Sequence, residues 1–259
     1  MNIHRKKLTI VSALHYLKLV YRTILLLSAL VLYILSKTKN SGTELKLLPR
    51  DFVLLGAIWI IYAVEMACRF FPSKYESIGN QKQFKQKYLP IENSTLPAKP
   101  WQGVFAVAAS WILLNGIIGG LYFTHIIDKG ILLLVSLAYG VCDLICILFF
   151  CPFQTWFMKN RCCAVCRIYN WDYAMMFTPF IFIPHWYTWS LFAMSFALII
   201  RWEINVYRHP ERFSDITNAS LSCANCNEKL CHHKKQLTRL WEKLNNHLEK
   251  ELLVNKFKK

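Results

Sequence analysis

Five apolar blocks, each near the length a helix needs to cross a bilayer, constrain this 259-residue chain more than any other feature. They run from about Leu17 to Leu35, Phe52 to Phe71, Trp101 to Ile127, Gly130 to Phe150 and Asp172 to Ile200. A stretch of about 20 apolar residues matches the hydrocarbon core of a membrane. Backbone in lipid satisfies its polar groups only within a helix or a closed barrel. With 55% hydrophobic residues and no internal repeat, the chain is expected to be all-α, a multi-pass integral membrane bundle.

The fifth block is longer than one span needs and contains Pro179 and Pro184. It is either one kinked span or a hairpin of two. Ile183-Pro184-His185-Trp186-Tyr187-Thr188-Trp189 has the composition of a turn at the headgroup level, where Trp, Tyr and His gather. The arms would be Arg167 to Ile183 and Trp186 to Tyr207, giving six spans in place of five. Charge favours six. With the N-terminus inside, only Lys37, Lys39, Lys46, Arg50 and Lys129 of the 31 Lys and Arg fall in outer loops. With five spans, all the basic residues from Arg201 onward move outside, against the positive-inside rule.

Both termini are thus expected in the cytoplasm, in a plasma or inner membrane. The basic segment Met1 to Lys7 resembles the start of a signal peptide. Lys18 and Arg22 interrupt the apolar run after it, so a retained first span is expected, with these two side chains snorkelling to the interface. The net charge of +16 fits cytoplasmic loops over anionic lipid; no nucleic-acid motif accompanies it. The loop Pro72 to Pro100, with Lys74, Lys82, Lys85, Lys87 and Lys99, reads as such a surface segment and not as a domain. Residues 1–207 would form the bundle. Residues 208–259 would form a small cysteine-rich cytoplasmic segment ending in an amphipathic helix, Leu237 to Phe257, lying on the membrane.

The ten cysteines are unevenly placed. Cys151, Cys162, Cys163, Cys166, Cys223, Cys226 and Cys231 all fall on the inner side of the six-span arrangement. In a reducing compartment, clustered thiols are metal ligands or redox groups more often than disulfides. Two C-x-x-C pairs, Cys163/Cys166 and Cys223/Cys226, have the spacing of a tetrahedral thiolate site. They would meet if the hairpin forms, with Zn²⁺ or iron (an iron–sulfur cluster included) stapling the short polar tail. Cys162, Cys231, His232 and His233 are additional candidate ligands. Against this, Arg167 follows the first pair where such knuckles favour glycine, and surface thiols or a thiol–disulfide pair would give the same pattern.

Two acids, Glu65 and Asp143, fall inside spans and are the candidates for catalytic or proton-handling roles. Cys68 lies one turn from Glu65, and Cys142 and Cys146 flank Asp143; Asn115 is a further polar candidate. The plainer reading pairs each acid with a nearby cation, Arg69 for Glu65, and treats the cysteines as small hydrophobes. Asp172 is placed to cap the next helix, and Met175-Met176 could meet a soft metal but more commonly pack.

Three functions fit. One is a membrane metalloprotein with a cysteine-ligated centre at the cytoplasmic face, passing electrons to a membrane redox partner. Another is an assembly or transport protein, as a monomer or a homo-oligomer, with a purely structural Zn site. The third is a metal-free membrane thiol oxidoreductase.

Overall fold

The computed structural model describes residues 9–39, 49–95, 101–226 and 228. Among them every regular element is helical, and the one β feature is an isolated bridge between Pro90 and Asn218. The helices are α1 (Ile10–Lys39), α2 (Pro49–Cys68), the single turn α3 (Ile78–Gln81), α4 (Trp101–Phe123), α5 (Lys129–Leu148), α6 (Asp172–Phe177) and α7 (Trp186–Arg208). Three segments, Ile10–Thr38, Trp101–Phe123 and Lys129–Leu148, are long and apolar enough to cross a membrane, and α2 adds the shorter apolar stretch Leu55–Cys68. Large apolar side chains stand exposed along α1 (Leu17, Val20, Ile24, Leu27, Val31, Ile34) and α4 (Phe105, Ile112, Leu113, Ile117). In water such a belt would be an association hazard; against lipid it costs nothing. The chain is a helical membrane protein.

The fifth block divides where its prolines fall. α6 tightens at Thr178 into a 3-10 segment, Thr178–Phe182, since Pro179 lacks the N–H that an α-helical ladder would use. The chain then turns through Pro184 and His185, and α7 begins at Trp186. Thr188 Oγ1 holds the turn by donating to the carbonyls of Ile183 (2.6 Å) and His185 (2.9 Å). The arm before the turn rises only about 19 Å, from six α and five 3-10 residues. It is enclosed by α4, α5 and α7, with Tyr173, Met176, Phe177, Pro179 and Phe180 buried.

The helix ends collect at two poles. At one, Asp128 caps α5 by accepting from the Ile131 N–H (2.9 Å) and receives Tyr33 (3.0 Å) and Lys37 (3.3 Å) from the end of α1. Trp59 there packs its ring against Trp186 and donates to Ser190. At the other pole the loops fold into a cap, which departs from the expectation of a surface segment at Pro72 to Pro100. Asn80, Gln81, Lys82 and Gln83 are buried. Lys82 Nζ donates to the carbonyls of Ala164 and Cys166, both at 2.8 Å, beneath the rings of Trp202 and Phe213. Arg212 donates to the Gln83 carbonyl (3.1 Å), and Asn218 Oδ1 accepts from the Leu89 N–H (3.2 Å). The Glu228 carboxylate accepts from Ser77 Oγ (2.5 Å) and the Ile78 N–H (2.7 Å). Residues 209–222 are therefore tied to the cap through Arg212, which donates, and Asn218, which accepts.

Burial, ahead of the opposing pull of Cys166, Cys162 and Glu228, draws the Lys82 amine down from 10.5 to about 8. Between those values the unfolded chain holds a proton that the folded chain has lost, so this group's contribution to stability rises as pH increases from 8 to 10.5. Lys82→Met, which keeps the bulk but orphans two carbonyls, should lower the stability of the detergent-solubilised protein by about 3 kcal/mol. Thermal melts should also show that the variant has lost the wild-type rise across that pH window. A melt matching wild type at every pH would mean the cap does not depend on this amine.

Candidate functional site

The cap pole encloses a cavity of about 130 Å³, and four segments place sulfur on it. The last turns of α5 contribute Cys142, Asp143, Cys146 and Ile147 from one face. Beyond α5, Pro152 opens a π-helical turn, Phe153–Phe157, so the chain doubles back and presents Cys151 and Gln154. The 3-10 turn Cys163–Val165 brings Cys163 and Cys166, and α6 brings Asp172, Met175 and Met176. Five thiols, two thioethers and two carboxylates thus face one space, and among the described residues no Lys, Arg or His lines it. Cys142 is exposed, so the cavity opens on its side.

The thiols are held by specific contacts. Cys146 and Cys151 line the same cavity. Cys163 Sγ donates to Gln154 Oε1 at 2.8 Å, and Gln154 Nε2 donates to the Asn160 carbonyl at 2.9 Å. The Gln154 N–H points at Cys151 Sγ at 3.4 Å. Burial pushes the Cys166 thiol up, partly offset by Lys82. Among the described residues no cysteine is in a disulfide.

Behind the cavity lies a buried ion-pair chain. Arg22, 2% exposed, sits in mid-α1 and points into the bundle, not to the interface. Its guanidinium donates to Glu65 Oε2 (2.8 Å), Tyr173 Oη (3.2 Å) and the Gly140 carbonyl (3.0 Å). Glu65 is also met by Lys18 (3.3 Å), Tyr173 Oη (2.7 Å) and the Tyr21 hydroxyl. Lys18 continues to Glu76 at 3.7 Å, on a second cavity of about 220 Å³ lined by His15, Cys68 and Ser77. The expected partner of Glu65, Arg69, is engaged elsewhere, donating to Asp172 (2.6 Å) and Asn170 (2.7 Å). Asp172 is accordingly an ion-pair partner, and α6 is not capped by its side chain. Among the described residues Asp143 has only the longer pair to Arg22, at 3.8 Å, with 21% of its side chain accessible where it lines the cavity.

The structure sorts the sequence-derived candidates. Cys163, Cys166 and Asp143 share the thiol cavity, and Glu65 lies behind it in the ion-pair chain. Cys162 is half-buried and is not part of the lining. Cys223 is exposed and Cys226 half-buried beyond the 3-10 turn Ala219–Leu221, and neither lines the cavity. Cys231, His232, His233 and the amphipathic segment from Leu237 lie outside the described residues. Among the described residues no three of His, Cys, Asp and Glu converge as a ready metal site. Asn115 is buried, donating to the Trp111 carbonyl at 3.0 Å. Sequence reasoning overlooked Gln154 and the inward course of Arg22. A cation in mid-span opposite an intramembrane acid was the available signal for the latter.

Comparison with protein-family models, with curated proteins and with solved structures finds no match to this chain.

The geometry separates the two acids. Glu65→Gln strips the principal counter-charge from a buried guanidinium and should destabilise the solubilised protein by about 3 kcal/mol or more. Asp143→Asn removes one long ion pair while Glu65 still holds Arg22, and should melt close to wild type. Equal losses of thermal stability in the two variants would assign Asp143 a structural role as well.

Proposed function

We propose that this chain is a six-pass membrane protein with both termini in the cytoplasm, and that its thiol cavity is a metal-binding centre at the cytoplasmic boundary. One observation carries the reading: five thiols and two thioethers face one cavity beside the intramembrane carboxylate Asp143, with no cationic side chain among the described residues of the lining. Sulfur donors of this kind select thiophilic ions. An acid in a span is retained where it serves a cavity or an ion path. Six passes are supported by the break at Pro184 and His185, which makes the fifth pass a short, protein-covered arm and α7 the sixth. The cap pole, rich in Lys and Arg, is then the cytoplasmic one. Electron transfer to a partner in the membrane is the use we infer for a redox-active ion held there.

A purely structural Zn²⁺ at Cys223 and Cys226 has less support, because Arg212 and Asn218 already tie residues 209–222 to the cap. A metal-free dithiol oxidoreductase is the second reading, favoured by Cys146 and Cys151 lining one cavity.

Metal analysis of the purified full-length protein tests the proposal. Changing Cys146, Cys151, Cys163 and Cys166 together to Ser should abolish bound metal, and changing Cys223 and Cys226 together should leave it. Loss through the second pair alone would restore the four-cysteine staple of Cys163, Cys166, Cys223 and Cys226. No metal in the wild-type protein, with a Cys146–Cys151 disulfide forming on mild oxidation, would favour the oxidoreductase. Reporter fusions at Lys159 and Lys259 should both be cytoplasmic; opposite sides would overturn the six-pass arrangement.

A further inference from the structure

We propose that the thiol cavity also binds a small organic cation: an alkylated ammonium group seated among aromatic rings, with Asp143 as its counter-ion. The inference goes beyond the metal reading and holds whether or not the thiols carry an ion. Four aromatic side chains line the cavity, Trp111 from α4, Tyr139 from α5, and Phe153 and Tyr169 from the turns beyond it. Trp111 and Tyr139 have ring centroids 4.8 Å apart and planes inclined at 58°, so they form a corner and not a parallel stack. Tyr139 and Asp143 lie one turn apart on α5, which puts the corner and the carboxylate on one helix face. Rings beside a carboxylate suit a cation with an apolar periphery, because ring faces carry negative charge density.

The charges set both sign and valence. Glu76, Lys18, Glu65, Arg22 and Asp143 form one chain of ion pairs, three carboxylates against two cations. The Arg69–Asp172 pair beside it is balanced. Glu76, at one end of the chain, also accepts from Asn80 at 3.5 Å; Asp143 is the end that lies on this cavity, with Arg22 held closer to Glu65. One positive charge neutralises the chain, and among the described residues no base in the lining would hold an anion. The remaining polar atoms are mostly sulfur, which hydrogen-bonds weakly. A compact hydrated ion would lose its water there for little return, whereas a quaternary ammonium has no N–H to satisfy. The cavity, about 130 Å³, approaches the apolar cavity of about 150 Å³ known to hold benzene, so a trimethylammonium head fits. A longer substituent would leave on the open side at Cys142, where Ile145, one turn on, is also exposed.

The full-length protein in a maltoside detergent would be titrated calorimetrically with choline and with its neutral carbon isostere, 3,3-dimethyl-1-butanol. Choline should bind at a single site per chain. The isostere, and choline with the Asp143→Asn variant, should each bind at least about 30-fold more weakly, as loss of one partner of a buried charge pair implies. Trp111→Leu should weaken choline about fivefold, the scale of one cation–ring contact. Should a variant fail to fold, the comparison of choline with its isostere on the wild-type protein still decides. Equal affinity for the two, binding unchanged by Asp143→Asn, or no choline binding would overturn the inference; bound metal alongside any of these would leave the metal reading standing. Dodecyltrimethylammonium and dodecylphosphocholine distinguish the source of the head group. Binding of the first alone supports a free organic cation, and equal binding of both supports a lipid head group in the same cationic site.

Discussion

The structure depends on one buried guanidinium. Arg22 lies at the middle of a helix whose other faces meet lipid, and burying its charge is tolerable only because four partners surround it. Glu65 comes from α2, the Gly140 carbonyl and Asp143 from α5, and Tyr173 from α6. The guanidinium therefore fixes the rotation of three helices about a point on the first. Gly140 is part of that arrangement. A Cβ there would stand 2.6 Å from Met176 Sδ, so its absence lets α6 come close enough for Tyr173 to reach the same cation. With Arg22 in place, α5 turns its Cys142, Asp143 and Cys146 face toward the segments C-terminal to it.

Large-scale architecture was legible because it rests on features that repeat along the chain. Apolar length identified the long helices, and the prolines and aromatic residues around Pro184 marked where the fifth block divides. What escaped depended on contacts between distant segments. Arg22 and Lys18 look like interfacial residues when only their own helix is considered; the acid that draws them inward is 43 residues further on for Arg22. Lys82 resembles its neighbours Lys85 and Lys87, yet of the three it is the one buried under Trp202 and Phe213. Nothing local distinguishes it.

The thiols show the same division. A C-x-x-C pair is visible in any one sequence, and that motif singles out Cys163/Cys166 and Cys223/Cys226. The cavity instead joins the first of these pairs to Cys142 and Cys146, one helical turn apart, and to Cys151 beyond a helix end. Cys142 and Cys146 around Asp143 were readable as a polar helix face. Their meeting with Cys151 and Cys163 required the π-helical turn at Phe153–Phe157, for which the sequence carries no clear signature.

The cap also imposes an order on how the molecule is made. Leu89 finds its partner Asn218 across 129 residues, and Gln83 finds Arg212 across the same interval. During synthesis α4, α5, α6 and α7 must all emerge before that partner exists. The segment around Lys82 therefore cannot complete its contacts until those helices have been made. The rings of Trp202 and Phe213 that cover this lysine come from α7 and the segment after it, so the cap is complete only when both have been made. A chain truncated before Asn218 can insert its helices, yet it leaves the loop after α2 without the partners that fold it.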